Sequence, residues 1–193
     1  MPPHAEEVLD AIMGRRSIRA YEGRYLDDET VLSIIHAGIH APTTLGLQPW
    51  RFVVVRDHDL MKQISDYCKP ILLLNLKDMT APEAVEQKKL LASRDFNIFY
   101  GAAVLVLVLG DEKNRFSTYD CTLCAGTMML AAHALGVGSC WIGAAGPVSG
   151  NPELMKALKV PEGWMIVAPI VLGYPKEIPE KPPRREPEID WVR

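Results

Sequence analysis

The stretch "YGAAVLVLVLGD", Tyr100–Asp111, carries the longest apolar run of the chain. Every residue from 102 to 109 is apolar and valines recur through the run, as in a strand that is covered on both faces. The run is far too short to cross a bilayer. The segment from about Thr118 to Leu135 is rich in Ala, Met and Leu and almost uncharged, which predicts a helix at the centre of the fold or at a subunit interface.

Outward from this stretch, helices are expected to alternate with a few buried strands. The spacing of apolar residues predicts helices over 4–14, 26–42, 60–76 (interrupted at Pro70) and 152–163. It predicts strands over 50–57 and 164–175, and a short strand or loop over 138–144. Residues 77–95 are polar and are expected to form a mobile helical insertion or lid. Prolines rule out a regular helix over 175–193, so an extended tail is expected there. The chain shows no internal repeat, and a single domain over residues 1–193 is predicted, of the α+β or α/β class.

The first two helices have defined apolar faces. The residues that share one face of the first helix are Val8, Leu9, Ile12 and Met13. Gly14 marks its end. In the second helix, Asp27 or Asp28 is the expected N-cap and Pro42 the stop. The residues of this helix that are expected to face inward are Val31, Leu32, Ile34 and Ile35.

Composition and charge limit the range of functions. The chain has 193 residues, of which 48% are hydrophobic, enough for one domain with a substantial core. A net charge of -3 gives no support for general binding to nucleic acids or to membrane surfaces. The N-terminal residues lack a basic region followed by an apolar one, so no signal peptide is predicted and a cytoplasmic location is expected.

Cysteine and histidine spacing predicts no metal site. Cys121 and Cys124 form a CxxC pair, but no second pair or paired histidines follow at zinc spacing. We interpret the pair as small buried residues on a helix face, and a redox role stays open. His36 and His40 could share a helix face, yet no third ligand accompanies them. The absence of GxGxxG, GxxxxGK[ST] and GxSxG argues against a Rossmann dinucleotide site, a P-loop and a hydrolase nucleophile.

Positive charge is concentrated in "GRRSIRAY", Gly14–Tyr21. If this segment is extended, the side chains of Arg15, Ser17 and Arg19 point to one side. Two guanidiniums and a hydroxyl would then converge on an anion such as phosphate. A basic helix C-terminus that favours the helix dipole is an alternative of equal weight.

Three other segments carry residues suited to a ligand site. The loop "APTTLGLQPW", 41–50, can present amides and hydroxyls to a flat polar heterocycle, although loops of this composition are common. "LGVGSCWIGAAG", 135–146, contains glycines that permit close approach of a ligand, or that simply end a helix. "PPRREP", 182–187, adds Arg184 and Arg185, which would be merely solvated in a disordered tail.

Taken together, these segments resemble the nitroreductase family of flavin enzymes. The resemblance spans nearly the whole chain through "RRSIRAY", "APTTLGLQPWRFVVV", "FYGAAVLVLV", "AAHALGVGSCWIG" and "VLGYPKEIPEKPPRREP". It implies an α+β fold in which helices flank a central, mostly antiparallel sheet. It also implies an intertwined homodimer that binds FMN in two equivalent clefts at the interface.

The resemblance assigns roles to the basic residues. By position, Arg15, Arg16 and Ser17 would hold the phosphate and the ribityl chain. Arg19 would lie near the N1–C2=O edge of the flavin and stabilise negative charge there. Arg185 matches the phosphate-binding arginine of the tail, and Arg184 is its nearest substitute.

The remaining contacts that the resemblance implies come from two loops. Ile142, Gly143 and Ala144 would lie against the ring and offer amides toward N5 and O4. The residues that the partner subunit would supply are Pro42, Thr43 and Thr44, with Gln48 at the end of the same loop. The chain departs from the family at Gly46, where many members have asparagine, and at Gly143, where some have glutamate. Asp95 and Asn97 are the nearest candidates for the family's mid-chain cofactor contacts.

The activity implied is transfer of a hydride from NADH or NADPH, through N5 of FMN, to an acceptor such as a nitroaromatic or a quinone. In such a ping-pong reaction the cofactor carries the chemistry, so no protein acid or base is required. The sequence leaves two alternatives open. One is a non-catalytic FMN-binding or redox-sensing protein, and the other is a specialised flavin-fragmenting or dehalogenating enzyme.

Overall fold

The computed structural model describes residues 4–193 and shows an α+β fold. The helices are α1 (Ala5–Gly14), α2 (Asp28–Gly38), α3 (His58–Asn75), α4 (Pro82–Ala92), α5 (Ser117–Ala134) and α6 (Pro152–Ala157). The strands are β1 (Trp50–Val55), β2 (Val104–Asp111), β3 (Gly138–Trp141) and β4 (Trp164–Gly173). Two 3₁₀ segments cover Thr44–Gly46 and Gly143–Gly150. In the part of the chain described, no helix is both long and apolar enough to span a membrane.

The four strands form one antiparallel sheet in the order β1-β2-β4-β3. Strand β2 is central and buried along almost its whole length, as the apolar run predicts. Because side chains alternate along a strand, Leu105, Leu107 and Leu109 join one hydrophobic cluster, and the intervening valines join another. The first cluster includes apolar residues of α3, and the second includes those of α2 and α5. Helices therefore cover both faces of the sheet.

The structure corrects two expectations about helices. The buried side of α2 consists of Val31, Ile34, Ile35 and Gly38. This stripe has the i, i+3, i+4, i+7 spacing of one helix face, and it leaves Leu32 outside and 51% exposed. Pro70 does not interrupt α3, which is continuous through it. A proline removes only one intrahelical hydrogen bond, and the buried packing of this helix stabilises it against that loss.

Segment 77–95 is helical over Pro82–Ala92, as the prediction of a helical insertion requires. Ala84 and Leu91 of α4 are buried. At the end of the segment the ammonium of Lys69 donates to the carbonyl oxygens of Ser93, at 2.6 Å, and Phe96, at 2.8 Å. The mobility of the segment stays a prediction.

The four cysteines are buried and none is in a disulfide. Cys121 and Cys124 are 0% exposed on the core face of α5, as the helix-face interpretation predicts. Burial raises the pKa of Cys121 to about 11 and that of Cys124 to about 12. Both thiols are therefore protonated and weakly nucleophilic near neutral pH.

We expect these thiols to react with a disulfide reagent on the order of 100-fold more slowly in the native protein than in denaturant at about pH 8. The measurement is the release of thiolate from Ellman's reagent, with and without guanidinium. Denatured protein is the control, in which all four thiols should react. Rapid reaction of two thiols in the native protein, with formation of an internal disulfide, would restore a redox role for the CxxC pair.

Candidate functional site

A cavity of about 420 Å³ lies where the segment after α1 meets the C-terminal tail. The residues that line it are Arg15, Arg16, Ser17, Arg19, Pro179, Glu180, Pro182 and Arg184. Within residues 4–193, none of these four arginines has a carboxylate oxygen within 4.0 Å. Glu180 is the one acidic side chain in the wall. Four guanidiniums without an ion-pair partner make the cavity strongly attractive to an anion.

The edge of the sheet holds the basic segment in place. Ser17 forms an isolated parallel bridge with Ser139 of β3, and the N–H of Ile18 donates to the carbonyl of Ser139 at 3.0 Å. The side chain of Ile18 is buried against Gly138, where a Cβ atom would lie only 2.9 Å from Ile18 Cγ1. With Ile18 turned into the core, the side chains on either side of it face the cavity.

Arg16 also serves the end of helix α1. Its Nη1 donates to the carbonyl oxygens of Met13, Gly14 and Arg15 at 2.9, 2.8 and 2.9 Å. These are carbonyls that the end of a helix leaves without intrahelical partners. The helix-end interpretation of "GRRSIRAY" therefore accounts for Nη1 of Arg16, and the anion-site interpretation stays a prediction for the other donors of the segment.

Two guanidinium nitrogens of the cavity-lining arginines lack any acceptor. Arg15 Nη1 and Arg16 Nε are buried and make no hydrogen bond. A buried donor without a partner is costly, and a bound anion would relieve that cost. The planar fork of a guanidinium suits the oxygens of a phosphate group. The residues present thus fit the phosphate end of a nucleotide such as FMN.

The tail reaches the cavity by running back along the chain. Tyr21 and Pro175 form an antiparallel bridge, and the N–H of Lys176 donates to the carbonyl of Ala20 at 3.0 Å. Further along the tail Arg184 lines the cavity, whereas Arg185 does not. The structure thus places Arg184 in the cavity wall, whereas the resemblance assigns the phosphate contact first to Arg185.

Two side chains that sequence reasoning missed, those of Tyr100 and Cys140, lie near Arg19. Tyr100 has a left-handed backbone, with φ 58°, and its ring contacts Phe96 edge-on at 5.7 Å between centroids. Burial raises the pKa of Tyr100, while the charge and hydrogen bonding of Arg19 act to lower it. Burial also raises the pKa of Cys140, again against the charge of Arg19. The one sequence feature that marks an unusual backbone here is the glycine that follows Tyr100. The spacing of apolar residues does not reveal it.

The residues Ile142–Ala144 form a ledge at the end of β3. The N–H of Ile142 donates to Pro169 at 2.8 Å, which fixes the start of the 3₁₀ segment. The first N–H groups of such a segment have no acceptor within it, so Gly143 and Ala144 can offer amides to a ligand. A Cβ atom at Gly143 would meet nothing within 4 Å, so this ledge is open. Ile142, Gly143 and Ala144 are not part of the arginine cavity wall.

The loop Pro42–Gln48 lies outside the cavity wall of its own chain. Its Thr44 donates from both N–H and Oγ1 to the carboxylate of Asp120 on α5. Sequence reasoning gave no role to Asp120. A contact between residues 76 positions apart leaves no local pattern.

Neither of the mid-chain candidates, Asp95 and Asn97, lines the arginine-lined cavity. The side-chain oxygen of Asn97 accepts from the N–H of Phe99 at 2.9 Å, a contact within its own turn. Asp95 is exposed. Across residues 4–193, no group of three or more His, Cys, Asp or Glu side chains is placed to hold a metal ion. His36 and His40 are both exposed.

Comparison with known proteins identifies the family to which this chain belongs. The sequence profile of the Nitroreductase family matches residues 12–174. The chain belongs to the nitroreductase family. A relative in Archaeoglobus fulgidus is 33% identical over 181 residues, 89% of this chain and 87% of its own, and bears the provisional description NADH dehydrogenase/NAD(P)H nitroreductase. The FMN reductase [NAD(P)H] of Bacillus subtilis is 28% identical over 187 residues, 92% of this chain and 70% of its own.

The fold of this nitroreductase-family chain is also that of solved members. The crystal structure of a nitroreductase with bound FMN from Bacteroides fragilis superposes with a TM-score of 0.80. The two sequences are 26% identical, and the match covers 97% of this chain and 99% of the other. The predicted nitroreductase-like α+β fold is therefore confirmed.

Proposed function

We propose that this nitroreductase-family protein is an FMN-dependent oxidoreductase that uses NADH or NADPH to reduce an acceptor such as a nitroaromatic or a quinone. The arginine cavity, with its buried donors that lack acceptors, is the observation that carries the proposal. FMN ends in a single phosphate, and a phosphate is the anion that these donors suit. A supply of reduced nicotinamide agrees with the cytoplasmic location that the sequence predicts.

The residues of this chain would bind and orient the cofactor. Arg15, Arg16, Ser17 and Arg184 would hold the phosphate and ribityl chain, and Arg19, steadied by Tyr100, would place positive charge at the pyrimidine edge of the ring. When bound, FMN supplies the redox chemistry, accepting a hydride from NAD(P)H and returning reducing equivalents to the acceptor. The ledge at Gly143 leaves room for a flat ring to approach the backbone.

The same proposal includes a homodimer. The apolar face of α1 has no cover within residues 4–193, because Val8, Leu9, Ile12 and Met13 are 57, 47, 51 and 52% exposed. Beside it lies an apolar groove of about 360 Å³ between α1 and α5. A second copy packed on this face would bury it. The loop Pro42–Gln48, which does not reach its own cavity wall, would then be available to the partner's cofactor.

The test of the proposed function is spectroscopic. The purified protein, loaded with FMN if necessary, should be yellow and should bleach when NADH or NADPH is added without oxygen. Addition of a quinone should restore the colour, and repeated cycles should give turnover. Free FMN at the same concentration is the control for direct reduction. Protein that binds FMN but is not reduced would favour the non-catalytic alternative, and protein that binds none would refute the proposal.

A further inference from the structure

Asp120 carries a buried carboxylate that the proposed function does not use. The residue is 3% exposed and lies in the first turn of α5. Both carboxylate oxygens lie 3.2 Å from the backbone nitrogen of Thr44, and Oδ1 lies 3.4 Å from Thr44 Oγ1. No basic nitrogen of residues 4–193 lies within 4.0 Å of it. A buried carboxylate without a cation is costly, so its retention calls for a specific role.

The carboxylate does not cap its own helix. Asp120 lies inside α5, and its backbone N–H already donates to the carbonyl of Phe116 at 3.0 Å. The N-cap position belongs to Phe116, which makes no side-chain cap hydrogen bond. The positive end of the helix dipole favours the negative charge of Asp120, but its hydrogen bonds go to the distant loop. Helix α5 thus holds the Asp120 carboxylate in a fixed position, where it accepts hydrogen bonds from Thr44.

The loop that Asp120 grips has an unfavourable backbone conformation. Leu45, Gly46 and Gln48 have φ values of 53, 67 and 47°, and two of these three residues are not glycine. Left-handed conformations of such residues persist only where the surroundings enforce them. The Leu45 side chain is 90% exposed, so packing within the chain does not hold the loop tip. Within the loop, the N–H of Gly46 donates to Thr43 and the N–H of Leu47 donates to Thr44, at 3.3 and 3.1 Å. The hydrogen bonds from Thr44 to Asp120 tie this turn to α5.

We propose that Asp120 is a positioning residue that holds the loop Thr43–Gln48 in its left-handed conformation and so presents it, already ordered, to the flavin cleft. The inference rests on the proposed function for the statement that this loop meets flavin. The grip itself is a property of the protein without cofactor. Loss of the carboxylate would free Thr44 and let the loop relax, so that binding of FMN would have to order it again.

Three variants separate positioning from general stability. Asp120→Ala removes both acceptors, whereas Asp120→Asn keeps one side-chain oxygen that can accept from the Thr44 N–H. Ser117→Ala is the matched control. Ser117 is 0% exposed at the start of the same helix and donates to the carbonyl of Asp111 at 2.7 Å, so its loss removes a partly buried hydrogen bond that involves none of residues 43–48. For each protein, amide hydrogen exchange of residues 43–48 without cofactor, the Kd of FMN and the melting temperature are measured.

Asp120→Ala should accelerate exchange at Thr44 and weaken FMN binding about tenfold, the effect of losing a hydrogen bond to a charged group. Asp120→Asn should keep both the exchange rate at Thr44 and the Kd of FMN within about threefold of the parent values. Ser117→Ala should lower the melting temperature while leaving loop exchange and FMN affinity unchanged. If Asp120→Ala and Ser117→Ala alter loop exchange equally, or if the alanine variant leaves loop exchange unchanged, the positioning role is overturned. If faster exchange comes without weaker FMN binding, Asp120 orders the loop but not for flavin, which also overturns the proposal. Failure of the parent protein to bind FMN refutes the proposed function instead.

Discussion

Arg15→Ala and Arg184→Ala should each weaken FMN binding by about 10- to 100-fold. The two side chains approach the same cavity from the N-terminal segment and from the tail. A hydrogen bond to a charged group contributes about 1.5–3 kcal/mol, and each 1.4 kcal/mol corresponds to about a tenfold change in Kd. Because Nη1 of Arg15 is buried and lacks an acceptor, its variant should show the larger part of this range. Quenching of flavin fluorescence on titration of the apoprotein gives the Kd.

Arg185→Ala is the matched control for the tail. It removes the same charge one position further along, from a residue outside the cavity wall, so FMN affinity should change by no more than about threefold. Equal losses in the two tail variants would mean that net charge rather than contact sets the affinity. A larger loss for Arg185→Ala would show that the bound tail is shifted by one residue. Unchanged FMN affinity in Arg15→Ala would show that the phosphate does not bind in this cavity.

The sheet and its helices were predictable because their signals are local. Strand β2 is recognised by an unbroken apolar run, and the buried stripe of α2 by its helical spacing. Leu32 is exposed although it is expected to face inward, because the sequence does not show whether an apolar residue beside the buried stripe is itself buried. Pro70 was misread because the packing that tolerates it comes from parts of the fold distant in sequence.

The candidate site was predictable only in part, for the same reason. The arginines of "GRRSIRAY" have the chemistry from which an anion site is predicted, but which tail arginine joins them in the cavity wall depends on how the tail crosses the cavity. The left-handed Tyr100 and the contact between Asp120 and Thr44 depend on tertiary structure and leave no periodic trace. Charge density can be read from a sequence, whereas the side chains that orient those charges cannot.

The second large effect is expected at the exposed face of α1. In a homodimer that buries this face, Val8→Glu combined with Ile12→Glu would place two carboxylates in an apolar interface. Each buried and unpaired charge costs several kcal/mol, so dimer affinity should fall by at least about 1,000-fold. Light scattering after gel filtration should then give the mass of one chain, 21.4 kDa, where the parent gives twice that mass. The separated chains should bind FMN poorly, because the loop Pro42–Gln48 of each would no longer reach a partner.

The matched control is Val85→Glu with Leu90→Glu on α4. These side chains are 39 and 46% exposed, similar to the residues of α1, but they lie on another helix. The control variant should remain a dimer and keep its flavin, so a loss of dimer in both variants would point to general destabilisation. A parent protein that already has the mass of one chain would refute the dimer. An α1 variant that stays dimeric would move the interface elsewhere. Loss of the dimer with FMN affinity intact would show that each cleft is complete within a single chain, and the loop Pro42–Gln48 would then have no part in binding the partner's cofactor.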